Sequence, residues 1–386
     1  IAATVSAEQG MPMVNARRVQ AALPITVMQS YVGIGRDYAR AEPERIGHSI
    51  VVEEPIGVCT FITPWNYPLH QIVGKVAPAL VAGCTMIVKP SSETPLNAFV
   101  LAEIMHEVGL PAGVFNLVTG AGRTVGEALC VHPEVDMISI TGSTEAGARI
   151  AQLGAASVKR ICQELGGKSA NVILDGADLA KAVPAGITGM MLNCGQTCTA
   201  LTRMIVPRAH HDEVVDLAVT TLATLSMGDP TSDDNFLGPV VSASQKQTVQ
   251  EYIRLGIEEG AQLVAGGPDD PQGYDVGYYV QPTIFAGVDN SMRIAQEEIF
   301  GPVLCIIPVD SEDEAIAVAN DSPYGLSGAV WADTDDHGVA AARRLRTGQV
   351  MVNGGRFNAL APFGGYKTSG NGRGLGRAGL DEFLET

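Results

Sequence analysis

Short runs rich in β-branched and aliphatic residues alternate along the chain with segments whose apolar positions recur every three or four residues. Thr85–Lys89 (TMIVK) is of the first kind and predicts a strand. Thr94-Pro95 then predicts a helix start, because a threonine oxygen can cap and proline suits the first turn. Leu96, Phe99, Val100, Ile104 and Val108 follow at helical spacing and predict that helix's buried face. Gly109 ends it and Pro111 blocks its resumption. Val114–Val118, Met137–Thr141 and Val158–Gln163 read as further strands, with helices expected over Arg123–Val131 and Glu145–Leu153. A second series starts near Gly167: a strand at Asn171–Leu174, a helix over Leu179–Leu192 capped by Asp178, a strand at Arg203–Val206 and a helix over His211–Leu225. Long helical patterns occupy Ser244–Glu259 and Glu312–Asn320. Repeated strand–helix–strand units with short loops predict an α/β fold, parallel sheets covered by helices. Arg40–Val52 interrupts the rhythm and predicts a projecting β-hairpin.

Length and charge narrow the class. At roughly 150 residues per domain, 386 residues suggest two or three domains. Hydrophobic residues make up 46% and charged residues 17%, enough apolar surface to bury a sizeable core. The net charge of −17 repels phosphate, which argues against nucleic acid or anionic lipid as a partner. The most apolar stretch, Ile72 to Val88, is interrupted by Lys75, Pro78 and Gly83 and does not read as a membrane span. Seven scattered cysteines form no CxxC and seven histidines form no HExxH, so neither a disulfide scaffold nor a zinc site is expected, and no metal is called for. The first residues lack the basic start and apolar run of a signal peptide; with the free thiols this predicts a cytoplasmic location.

Several motifs could carry chemistry. Gly120-Ala-Gly122-Arg-Thr-Val-Gly126 follows the strand at Val114–Val118 and is one residue longer than the usual dinucleotide fingerprint. Gly142-Ser143-Thr144-Glu145-Ala146-Gly147 follows Met137–Thr141 and opens a helix. Either could be an ordinary turn; two such turns at neighbouring strand ends favour a nucleotide crevice. Gly167-Lys168-Ser169 resembles the end of a phosphate-binding loop, but Cys162 stands where that motif needs glycine, which excludes ATP or GTP by this route. Cys198 lies in the polar loop Asn193-Cys194-Gly195-Gln196-Thr197-Cys198-Thr199. A free cysteine is often just a small buried hydrophobe, and no histidine stands in a protease-like motif. The Cys chemistry left is thiolate attack on an aldehyde with a carboxylate as base, for which Glu164, before Leu165-Gly166-Gly167, is available. Asn66, held in Pro64-Trp65-Asn66-Tyr67-Pro68, is either a turn residue or a donor to a developing oxyanion.

Taken together, these segments closely resemble the aldehyde dehydrogenase superfamily of NAD(P)-dependent enzymes. The matches are Phe61-Ile-Thr-Pro-Trp-Asn66, Lys89-Pro90 with Thr94-Pro95, Thr141-Gly-Ser-Thr144, Glu164-Leu-Gly-Gly-Lys168, Gly195-Gln-Thr-Cys198, Glu298-Ile-Phe-Gly-Pro302 and Pro362-Phe-Gly-Gly-Tyr-Lys367. They occur in family order and span nearly the whole chain. The resemblance implies Cys198 as nucleophile, Asn66 and the Cys198 backbone N–H as oxyanion donors, and Glu164 as the base that hydrolyses a thioester. CoA-acylating relatives generally lack that base, so its presence favours hydrolysis. It also implies cofactor contacts at Ile62, Thr63, Pro64, Trp65, Asn66, Lys89, Ser92, Gly122, Gly126, Thr141, Gly142, Ser143, Leu165, Gly166, Glu298 and Phe300. Many NAD-preferring members carry Glu where this chain has Ser92; a serine there does not repel a 2′-phosphate, so NAD is expected with NADP tolerated.

The implied architecture is a Rossmann-like cofactor domain (1–32 and 56–166), a bridging hairpin (33–55), a catalytic domain (167–366) and a C-terminal return segment (367–386). A homodimer or homotetramer acting on a small aldehyde is expected, with a catalytically silent homologue as the alternative. Against the family pattern, roughly a hundred N-terminal residues and a final strand are expected to lie outside the sequence.

Overall fold

The structure, a computed structural model, describes residues 1–386 and is built on two main sheets. The first has six strands, in the order Phe115–Leu117, Thr85–Lys89, Val58–Ile62, Met137–Thr141, Arg160–Glu164 and Gly370–Asn371. The first five run parallel; the last is antiparallel, Gly370 facing Glu164. Chain order runs outward in both directions from Val58–Ile62. The strand order therefore reverses between that strand and Met137–Thr141, which opens a crevice at their carboxyl ends.

The second sheet has seven strands: Gln262–Ala265, Thr283–Ala286, Val303–Val309, Arg203–Pro207, Ala170–Ile173, Ser327–Trp331 and Gln349–Val352. Only Gln262–Ala265 is antiparallel to its neighbour. Each sheet carries its own large apolar cluster, one around Val172, Ile205 and Ile306 and the other around Phe61, Val76 and Met86. Glu44–Ile46 and Ser49–Val51 form an exposed antiparallel hairpin, and Glu54–Pro55 pairs with Leu384–Glu385. No helix is long and apolar enough to cross a membrane, and all seven cysteines are free.

Local signals explain many boundaries. Ser143, Asp178 and Ser242 each accept a backbone N–H from the third residue of the helix they precede. Pro68 opens the helix Pro68–Ala82, and Gly83 ends it with φ 87°.

Three expectations need correction. Residues 1–40, for which no element was expected, are largely helical: Ala2–Gln9, then Met13–Asn15, a wide turn at Ala16–Ala22, and Leu23–Arg40. That last helix crosses residue 33, so the hairpin's strands begin only at Glu44. Second, the helix Leu96–Glu107 buries Asn97, Ala98, Leu101 and Met105, while Leu96, Phe99, Ile104 and Val108 face solvent. The segment is apolar on almost every side, so its periodicity fits two faces equally and tertiary packing decides. Third, Thr94 does not cap this helix: its Oγ1 is buried without a partner. Glu8 Oε1, from the first helix, accepts the Leu96 N–H instead at 2.8 Å.

Candidate active site

The carboxyl end of Val58–Ile62 runs into Thr63-Pro64-Trp65-Asn66-Tyr67, a turn held by side chains rather than by a sheet. Asn66 is buried, and its Nδ2 donates to the Gln196 carbonyl at 3.0 Å. A carbonyl can only accept, which fixes the orientation of the amide and leaves its second N–H uncommitted.

Cys198 follows the helix Leu179–Met191 through a sharp reversal. Asn193, Cys194 and Gly195 have φ of 55°, 54° and 68°, three left-handed residues in succession. Only glycine fits at 195, where a Cβ would lie 2.1 Å from the Gly301 carbonyl oxygen. Gln196 braces the loop: its Nε2 donates to Asn193 O at 3.0 Å and its Oε1 accepts the Val241 N–H at 2.9 Å. Cys194, the neighbouring thiol, is buried and donates to Gly238 O at 3.0 Å, a packing role. At Gly167 a Cβ would lie 2.3 Å from the Cys198 carbonyl oxygen, so the Glu164–Lys168 turn passes directly against the nucleophile's backbone.

Asn66 and Cys198 line one cavity of about 300 Å³ between the two sheets. Pro64, Trp65, Thr141, Gly142, Ser143, Leu165, Gly166, Glu298 and Phe300 line it too. Ser143 Oγ is committed to the helix Thr144–Ala155, accepting Ala146 N–H at 3.2 Å, so the cap residue and Gly142 before it are what this helix end brings to the cavity wall. Glu298 Oε1 accepts the Gly167 N–H at 2.9 Å, and burial pushes its carboxyl up to about 7. Phe300 has φ 56°, strained for an aromatic residue, and packs edge-on against Trp65 with centroids 5.3 Å apart. The strain is held by Gln245, whose Nε2 donates to Ile299 O and Phe300 O at 3.2 and 2.9 Å.

The other expected cofactor residues gather in a second group. A Cβ at Gly126 would lie 3.7 Å from Ile62 and 3.8 Å from the Lys89 stem. Lys89 is buried and donates to Pro90 O at 2.7 Å and Gly120 O at 3.4 Å. Ser92 Oγ is 3.5 Å from Gly120 O, and Gly122 opens the wide turn Gly122–Gly126. Thr63 lies between the groups, its N–H donated to Lys89 O at 3.2 Å and its buried Oγ1 without a partner. A helix N-terminus, a buried lysine and an orphan hydroxyl at a strand-order reversal suit a dinucleotide.

Glu164 is placed differently. It ends the strand Arg160–Glu164, but it lines a neighbouring cavity of about 50 Å³ with Lys75, Ser139, Cys162, Arg373 and Glu382. Both its carboxylate oxygens are buried without a hydrogen-bond partner. Burial pushes the Glu164 carboxyl well above its usual range, against the pull of the Lys75 and Arg373 cations. Lys75, buried and donating to Ser139 Oγ at 3.0 Å, is held down by the same desolvation.

The reading of the sequence did not find Lys75, nor Gln245 and Thr248, which line the main cavity. The helix carrying the last two was expected, but no local motif marks the side it turns to the site.

Burial, reinforced by the Glu298 and Glu164 carboxylates, pushes the Cys198 thiol up to about 12; the backbone N–H groups of Cys198 and Thr199 pull the other way. The resting sulfur is therefore protonated at neutral pH. Alkylation of Cys198 by iodoacetamide without cofactor is expected to be slow at pH 7 and to rise about tenfold per pH unit through pH 9. Peptide mass spectrometry after timed quenching measures this, and a plateau below pH 8 would contradict it.

The sequence profile of the Aldehyde dehydrogenase family matches residues 1–386. Among similar proteins, the 3-succinoylsemialdehyde-pyridine dehydrogenase of a Pseudomonas species is 51% identical over 392 residues, covering 100% of this chain and 80% of the relative. The geranial dehydrogenase of Castellaniella defragrans is 45% identical over 379 residues, covering 97% of this chain and 78% of the relative. Among solved structures, a Cys-to-Ala mutant of aldehyde dehydrogenase C from Pseudomonas syringae, complexed with NAD+ and octanal, has a TM-score of 0.96 at 50% identity, covering 100% of this chain and 79% of that one. The Mycobacterium tuberculosis aldehyde dehydrogenase complexed with NAD+ has a TM-score of 0.96 at 43% identity, covering 100% and 80%. Two α/β sheets meeting at a cysteine-bearing crevice, a match along the whole length and these relatives agree: the chain belongs to the aldehyde dehydrogenase family.

Proposed function

We propose that the chain oxidises aldehydes to carboxylic acids with NAD+, through Cys198 as nucleophile, Asn66 as oxyanion donor and Glu164 as general base. The observation that carries this reading is that the uncommitted amide of Asn66 and the sulfur of Cys198 share one cavity at the reversal of strand order. The Cys198 thiol gives up its proton to solvent water, the resulting thiolate bonds the carbonyl carbon, and the C=O electron pair moves onto oxygen. The Asn66 amide and the Cys198 backbone N–H stabilise that charge; losing one such donor typically costs about 2.7–4 kcal/mol. Bound NAD+ supplies the hydride acceptor, and the acyl group then sits on sulfur as a thioester. Glu164, turning on its side-chain torsions from the adjacent cavity, takes a proton from the water that attacks the thioester, and the thiolate leaves.

The two groups of residues described above would hold the cofactor: Pro64, Trp65, Thr141, Gly142, Ser143, Leu165, Gly166, Glu298 and Phe300 in the cavity, and Ile62, Thr63, Lys89, Ser92, Gly122 and Gly126 beyond it. In this reading residues 1–32 and 56–166 form the cofactor domain and 167–366 the catalytic domain. The hairpin within 33–55 serves assembly as a homodimer or homotetramer, and 367–386 is a C-terminal return segment. Seven free thiols suit a reducing compartment such as the cytoplasm.

Absorbance at 340 nm with a panel of aliphatic aldehydes including octanal, aromatic aldehydes and semialdehydes tests the reading. NAD+-dependent turnover without added CoA is expected, with the carboxylic acid as product and NADP+ tolerated because the uncharged Ser92 does not repel a 2′-phosphate. Silence with every aldehyde would make the chain a non-catalytic homologue. An absolute requirement for CoA would overturn the hydrolytic step.

A further inference from the structure

The turn that carries Asn66 and the loop that carries Cys198 are both irregular, and no sheet ladder fixes their spacing. Four buried side-chain amides do so instead. The Asn66 backbone carbonyl accepts Gln20 Nε2 at 2.9 Å and Asn193 Nδ2 at 3.1 Å. Asn193 Nδ2 also reaches the Gln196 carbonyl at 3.3 Å, the same oxygen that holds the Asn66 side chain at 3.0 Å. One amide thus ties the Asn66 turn to the loop two residues before Cys198. Asn193 Oδ1 in turn accepts from Gln9 Nε2, and Gln9 Oε1 accepts the Met11 N–H at 3.3 Å. Gln9, Gln20, Asn66 and Asn193 are each at most 2% exposed.

We propose that Gln20 and Gln9, from the N-terminal helical segment, act with Asn193 as positioning residues that set the Asn66 amide against Cys198. The inference rests on the role given above to Asn66. Packing alone does not account for Gln20. Its Oε1 is buried without a partner, a cost that an apolar side chain of the same size would avoid. Methionine would therefore fill the space without loss of stability, while releasing the Asn66 turn from one of its two donors.

The test is pre-steady-state acylation by 4-nitrophenyl acetate, in which Cys198 attacks a carbonyl and displaces 4-nitrophenolate with no cofactor or aldehyde required. Gln20→Met is expected to lower the acylation rate constant about tenfold at an unchanged or higher melting temperature. Asn66→Ala is expected to lower it about a hundredfold. The Gln20→Met/Asn66→Ala double variant should be no more than about twofold slower than Asn66→Ala alone, because a residue acting through Asn66 has nothing left to position. Gln9→Met, one link further out, should show the same pattern with a smaller loss, and it carries the same cycle if Gln20→Met does not fold. Wild-type acylation in these glutamine variants, or losses that multiply in the double variant, would overturn the proposal. Wild-type acylation in Asn66→Ala would instead remove the oxyanion role of Asn66.

Discussion

Cys198→Ala is expected to abolish NADH formation from every aldehyde while leaving the fold and NAD+ binding intact. The side chain belongs to a loop whose conformation is set by others: left-handed Asn193, Cys194 and Gly195, and the braces from Gln196. Removing one sulfur enlarges a cavity that is already about 300 Å³, and it breaks no hydrogen bond that holds the loop. The chemical cost is total, because without the thiolate there is no covalent hemiacetal from which a hydride can leave; a residual rate below about one ten-thousandth is expected. Cys194 cannot take over. It lies inside the apolar cluster of the larger sheet, outside the main cavity, with its hydrogen committed to Gly238 O. Absorbance at 340 nm reports turnover, and quenching of tryptophan fluorescence by NAD+ reports binding. Turnover above about one thousandth of wild type, with binding retained, would place the nucleophile elsewhere.

Where the chain's own neighbours decide structure, the sequence was legible. Thr85–Lys89, Met137–Thr141 and Glu312–Asn320 lie where their patterns predict them, because β-branched runs and helical periodicity are local signals. So are the Ser143 and Asp178 caps. What the sequence hid depends on contacts far apart in the chain. The buried face of Leu96–Glu107 is chosen by what packs on it, and the donor to its first turn is met by Glu8, 88 positions earlier. The site divides in the same way. Asn66 and Cys198 sit in distinctive short motifs and share a cavity. Gln20, Asn193 and Gln245 act through carbonyls that any residue could supply, so no motif marks their partners. The side chain of Glu164 could be placed at a strand end but not assigned to one of two cavities, because side-chain torsions leave no trace in sequence.

That placement shapes the second large effect, in Glu164→Gln. The variant is expected to release about one equivalent of NADH per active site in a burst and then stop. Acylation and hydride transfer need only the thiolate and the oxyanion donors, whereas deacylation needs a base to take a proton from water. Glutamine preserves the size of the side chain and the walls of the small cavity, but it cannot accept that proton. The wild-type pH dependence follows from the same geometry. Burial raises the Glu164 carboxyl, so its protonated form persists into the range where an exposed glutamate is fully ionised. The base form therefore grows as pH rises, and deacylation should climb with pH across the neutral range and level off above the raised value. Lys75, across the cavity, favours the charged form; Lys75→Met should move the climb to higher pH without touching the burst. Rapid-mixing absorbance at 340 nm resolves burst from steady state. A Glu164→Gln enzyme with wild-type turnover would assign the water's proton to another group. A variant that folds and binds NAD+ but shows no burst would place Glu164 in the first chemical step rather than the second.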